Sequence, residues 1–157
     1  LLSTMSIMVG VKAEGITIRL KNPVHNCVFG INDALTEITF GDMDPNATYY
    51  GKLCGSEMFT QSMALSVMKF CNTPSQLEMG YKEFSNYCEE YGETYLPPWE
   101  EILSKVNQSD IIEDVNTIDP EITGTVFNNT IIISEESFIA GKHTEVSLFP
   151  QYNLNIW

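Results

Sequence analysis

The stretch KLCGSEMFTQSMALSVMKFC, residues 52–71, reads as one buried helix set between two cysteines, and the expected fold is built outward from it. Ser56 is a natural cap, because its hydroxyl can accept an N–H of the first turn. Met58, Phe59, Ser62, Met63, Leu65, Val67, Met68 and Phe70 then occupy much of the circumference, as in a helix enclosed on most sides. Asn72-Thr73-Pro74-Ser75 interrupts this helix. Another runs over 75–91, with Leu77, Tyr81, Phe84, Cys88 and Tyr91 on one stripe, before Gly92 stops it. Cys54 and Cys71 bracket the first helix; Cys71 and Cys88 bracket the second. Each gap is about five turns, which holds the bracketing residues roughly 25 Å apart. A disulfide needs Cα atoms within about 7 Å. Four cysteines allow three pairings. Only Cys27–Cys71 with Cys54–Cys88 avoids both brackets, and an antiparallel helix hairpin brings Cys54 to Cys88. The cysteines are read as staples, not nucleophiles.

Upstream, Val24, Cys27, Val28, Ile31, Leu35 and Ile38 recur at helical spacing, with Asn22 as N-cap, Pro23 at N1 and Gly41 as the stop. Residues 41–46, GDMDPN, are turn chemistry. Downstream, Pro97-Pro98 starts a short helix that turns Trp99, Ile102, Leu103 and Val106 inward. The pattern changes after Ser109. Asp110 to Gly124 is acidic and without period, and is read as a loop or mobile segment. Val126 to Ile133 is β-branched and reads as a short strand with no evident partner, and Ser134-Glu135-Glu136 starts a further helical stretch. The expected fold class is mainly α: a small disulfide-stapled helical bundle with an irregular C-terminal third.

The chain opens LLSTMSIMVGVKAEG, residues 1–15. Its apolar run is too short to span a bilayer, which takes about 20 residues. An apolar stretch followed by small residues matches a secretory leader that lacks its first residues. Three N-x-[ST] sequons, at Asn46, Asn107 and Asn128, stand beside the even cysteine count, and together they fit a glycosylated surface in an oxidising compartment. The formal charge of −13 argues against nucleic acid, whose phosphates it would repel.

Catalytic chemistry finds little footing. The two histidines, His25 and His143, are far apart in sequence, and no phosphate-cradling or nucleophile-elbow motif occurs. Glu89-Glu90, Glu100-Glu101 and Glu135-Glu136 are adjacent pairs, whose side chains diverge on a helix, so they read as solvated faces. Met58, Met63 and Met68 invite a soft-metal reading. Their five-residue spacing swings around the helix, and core filling is the better account. No catalytic, cofactor-binding or metal-ligating residue is assigned.

The order of segments resembles the extracellular N-terminal region of the fungal cell-surface ferric (metallo)reductase family. The resemblance rests on the leader, HNCVFG at 25–30, KLCGSEMFTQSMALSVMKFC, FSNYC at 84–88, YLPPWEEILSKVNQS at 95–109 and the tail SEESFIAGKHTEVSLFPQYNLNIW at 134–157. In that tail, Tyr152 to Trp157 looks like the approach to a first transmembrane helix. The resemblance implies a full-length oxidoreductase that passes electrons from cytosolic NADPH through FAD and two haems to ferric or cupric ions outside the cell. It places this chain in the secretory pathway and then on the extracellular face of the plasma membrane. The implied partners are the remainder of the same membrane protein and chelated ferric or cupric ions. No cofactor belongs to this chain, and none of the family's functional residues carries over to it. The expected organisation is residues 1–13 as leader, 14–109 as the disulfide-linked helical ectodomain, and 110–157 as acidic linker and juxtamembrane tail. The alternative is a secreted or surface-anchored glycoprotein module that binds a protein or glycan partner.

Overall fold

A computed structural model describes residues His25–Ser147. The leader, the Asn22/Pro23 helix start and the tail at 152–157 lie outside the described residues. Among the described residues six α-helices make the fold mainly α. They are α1 (His25–Thr36), α2 (Tyr49–Gly55), α3 (Glu57–Phe70), α4 (Pro74–Gly92), α5 (Trp99–Ser104) and α6 (Glu135–Ser147). The strands are β1 (Thr39–Phe40), β2 (Ile111–Val115), β3 (Val126–Phe127) and β4 (Thr130–Ile133).

Helix α3 starts where its sequence says it should. The Ser56 hydroxyl accepts from Phe59 N at 2.9 Å and donates to Asp42 Oδ1 at 2.5 Å. Asp42 Oδ2 also accepts from Met58 N at 2.9 Å, so a carboxylate from the preceding loop sits at the positive end of the helix. Thr73 and Gln76 form a reciprocal capping box at the start of α4, with Pro74 at its first position. Helix α1 supplies the centre of the core: Val28, Ile31 and Leu35 are fully buried, together with Phe59, Met63 and Val67 of α3 and Phe84 of α4. Its closest neighbour is α6. A Cβ on Gly141 would come within 2.0 Å of the Gly30 carbonyl oxygen, so the two backbones meet with no room for a methyl group.

Several expectations change. Helix α1 ends at Thr36 and not at Gly41, and buried Ile38 follows the helix end. Gly92 does not stop α4; it is the last helical residue, and Glu93 takes the left-handed conformation at φ 50°. Gly92 is small for a different reason: a Cβ there would lie 2.9 Å from the carbonyl carbon of Tyr50. Helix α2 forms where the sequence carries no periodic signal.

The C-terminal third is more regular than its composition implies. The expected loop over 110–124 begins with strand β2, and the β-branched run at 126–133 is two short strands, each with a partner. β1 pairs in parallel with β3, and β2 in parallel with β4. One extra residue bulges β2 between Ile112 and Val115, where Asp114 has φ 60°. No packing boundary falls at Asp110, since β4 lies against α3 and α6 against α1.

Strand β4 has β2 on one side and α3 on the other. Ser62 Oγ accepts from Ile131 N at 2.9 Å and Ser66 Oγ accepts from Ile133 N at 3.3 Å. Gln61 Oε1 accepts from the Thr130 hydroxyl at 2.8 Å. These helix side chains occupy the places a third strand would fill. Ser134 then caps α6: its hydroxyl accepts from Ser137 N at 3.2 Å. The buried Ser137 hydroxyl accepts from Thr117 N at 2.8 Å, which ties the loop after β2 to this cap.

Candidate interaction surface

The cysteines are joined Cys27–Cys71 and Cys54–Cys88, with Cα separations of 5.8 and 5.7 Å. The first bond ties α1 to the end of α3, and the second ties α2 to α4. All four cysteines are consumed, as is usual in an oxidising compartment. Among the described residues, no helix is long and apolar enough to cross a membrane.

The second staple underlies a face of tyrosines. Tyr49 and Tyr50 open α2, while Tyr87 and Tyr91 are one turn apart on α4, flanking Cys88. Tyr50 stacks on Tyr87 with ring centroids 5.4 Å apart and an interplanar angle of 11°. Tyr87 stacks on Tyr91 at 5.6 Å, Tyr50 lies 5.9 Å from Tyr91, and Tyr49 meets Tyr50 edge-on at 5.1 Å. Tyr49 and Tyr91 are 56% and 50% exposed, so the face is open to solvent. Tyr91 therefore does not lie on the inward stripe of α4 where periodicity placed it. The Thr48 hydroxyl, which caps α2, donates to the Tyr91 carbonyl at 2.9 Å and fixes the two helix ends together.

The surroundings of Tyr49 and Tyr91 favour the neutral phenol at both positions. Burial is the main cause that pushes the Tyr49 hydroxyl above its ordinary 10.0, with the Asp33 charge adding to it and hydrogen bonds with Thr36 and Asn32 opposing it. The Tyr91 hydroxyl is raised first by its hydrogen bond with Glu90 and then by that carboxylate's charge.

All three sequon asparagines, Asn46, Asn107 and Asn128, are exposed. Their hydroxyl partners differ. Ser109 is exposed, Thr48 is spent on the α2 cap, and Thr130 is buried against Gln61. Met63 is fully buried, Met58 partly so, and Met68 is exposed, so the three methionines do not share one face. Glu89, Glu90, Glu100, Glu101, Glu135 and Glu136 are all exposed. His143 is exposed on α6. Among the described residues no group of three or more His, Cys, Asp or Glu is placed to hold a metal ion.

A cleft of about 240 Å3 lies beside Cys54, lined by Glu57, Gln61, Pro97, Ile102 and Lys105 among others. Gln61 is committed to Glu57 and Thr130, and Lys105 to Glu101 at 3.0 Å. A small-molecule site needs converging polar groups, and Glu57, Gln61 and Lys105 are already engaged by protein partners. The tyrosine face is the better candidate for contact. No family model, curated protein or solved structure matches this chain.

Proposed function

We propose that this chain is the extracellular domain of a transmembrane ferric-chelate reductase, with a supporting and not a catalytic part in reducing ferric or cupric ions for uptake. The observation that carries the reading is the pair of disulfides that cross a helical body whose three sequon asparagines are exposed. The order of its cysteine and sequon segments, which resembles the reductase ectodomain, adds the family. The FAD and haem that the resemblance implies are assigned to no residue of this chain. In this reading the redox groups belong to the remainder of the same membrane protein. The domain would sit on the extracellular face of the plasma membrane, beside the point where chelated metal arrives.

The test is the coding sequence beyond Trp157 followed by a cell-surface assay. Several apolar spans bearing spaced histidine pairs, and chelate reduction that is lost or changed in substrate preference when residues 25–147 are deleted, are the expected results. A stop codon or a Ser/Thr-rich stalk after Trp157 would overturn the reading and leave an exported glycoprotein module whose partner is found by binding.

A further inference from the structure

We infer that the glycan carried by Asn46 lies along the tyrosine face, with its first sugar rings stacked on Tyr50 and Tyr91. The inference rests on the exported reading above, since it requires that the sequon be used. Attachment is a glycosyl transfer: Asn46 Nδ2 bonds to the anomeric carbon of an oligosaccharide diphospho-lipid donor, the diphospho-lipid leaves, and the amide gives up one proton.

The turn at Asn46 and its distance from α4 set what a glycan there can reach. Asn46 N donates to Asp44 Oδ1 at 2.9 Å and Ala47 N to the Asp44 carbonyl at 3.3 Å, so a closed turn presents the exposed asparagine. The next two residues run onto the end of α4. Ala47 Cβ is 3.3 Å from where a Gly51 Cβ would stand, and that same point is 3.5 Å from the Gly92 carbonyl. Thr48 bonds directly to the Tyr91 carbonyl. Asn46 is thus two residues, at most about 7 Å of chain, from a residue bonded to the Tyr91 backbone carbonyl, which puts the exposed Tyr91 ring within reach of a sugar on Asn46. Of the two tyrosines that open α2, Tyr49 turns its hydroxyl to Thr36 and Asn32 of α1, while the Tyr50 ring lies against Tyr87 and Tyr91 of α4, beside the α4 end that Thr48 touches.

Chemistry selects a neutral saccharide for this surface. The stacked rings offer broad apolar faces with polar hydroxyl edges. A pyranose offers the matching combination of a C–H face and a hydroxyl rim. Exposed Glu90 bonds Tyr91, and exposed Glu89 and Glu93 are its near neighbours in sequence, so an anionic occupant would be repelled, whereas an uncharged N-acetylated sugar would not.

The test uses the full chain behind a functional leader in a glycosylating eukaryotic host. Hydroxyl-radical footprinting should modify Tyr50 and Tyr91 at least threefold more slowly in the glycosylated protein than in Asn46→Gln. Asn107→Gln should leave both rates unchanged. Enzymatic removal of glycan from the already folded protein gives the same comparison without a folding step, and trimming to a single sugar should retain the protection. Equal rates with and without the Asn46 glycan would overturn the inference. So would an empty Asn46 in a protein that carries glycan at Asn107, an outcome that leaves the exported reading intact. Three empty sequons would overturn both.

Discussion

Replacing Gly141 by alanine tests the crossing of α1 and α6. A methyl group there would stand 2.0 Å from the Gly30 carbonyl oxygen, 2.9 Å from its carbon and 3.2 Å from Ala34 N. Carbon and carbonyl oxygen approach to about 3.3 Å at closest, so the helices must separate by roughly 1.3 Å. All three clashing atoms are backbone, and no side chain can swing away. Helix α1 cannot retreat easily, because Val28, Ile31 and Leu35 are fully buried. Overpacking of this kind costs typically 1–3 kcal/mol, and a backbone clash belongs near the top, at about 3 kcal/mol. Alanine recovers about 1 kcal/mol of helix propensity. The net expectation is a loss of about 2 kcal/mol, or a Tm lower by roughly 4–8 °C for a chain of this size. Gly55→Ala is the matched control, since no atom lies within 4 Å of its Cβ position. It should hold or raise the Tm, by up to about 1 kcal/mol of stability. Both are read by thermal unfolding with disulfides intact. A Gly141→Ala protein as stable as wild type would refute the close crossing.

The remaining expectations concern the sheet, the staples and the phenols. Ser62→Ala leaves the buried Ile131 N–H without its acceptor and should cost about 1–3 kcal/mol, with faster amide exchange at Ile131 as the local readout. Replacing Cys27 and Cys71 together by alanine opens a link across a sequence separation of 44 residues. The chain-entropy model puts that at about 4 kcal/mol, measured as a shift in denaturant midpoint. The raised Tyr49 hydroxyl means that the folded state keeps its proton where the unfolded chain has lost it. Its contribution is full below pH 10 and is lost as pH rises past 10 through the higher folded value, so alkaline titration of stability should show a decline that Tyr49→Phe reduces.

Much of the helical body was legible in local sequence. The Ser56 cap, the Pro98 start and the apolar stripes of α1, α3 and α4 are properties of residues within one or two turns of each other. Cysteine pairing was legible because helix length is a distance, and distance excludes the other pairings. What was not legible depends on contacts between remote segments. Helix α2 has seven residues, two of them glycine, and is held by Thr48 and the Cys54–Cys88 bond instead of by an apolar stripe. The acidic strand β2 is an element only because β4 arrives beside it. Ser62 and Ser66 read as small residues on a buried circumference, and their hydrogen bonds become evident only when β4 is placed on α3. Tyr91 fell on the apolar stripe by periodicity, yet the position of Thr48 and Tyr50 makes it part of an outer face.

The serines that face β4 have a consequence for how the protein survives at high concentration. Thr130-Ile131-Ile132-Ile133 is a short, uncharged, β-branched run, the kind of segment that recruits identical copies into stacked fibrillar sheets. Recruitment needs a row of vacant N–H and C=O groups along a strand. On one flank those N–H groups are committed to α3 hydroxyls, and on the other the strand is shielded by β2. The outer edge of β2 is itself unsuitable as a template, being interrupted by its bulge and bearing exposed Glu113 and Asp114. The native fold thus keeps this tetrapeptide covered on both flanks, and loss of either the β4–α3 or the β4–β2 contact would offer it to other chains.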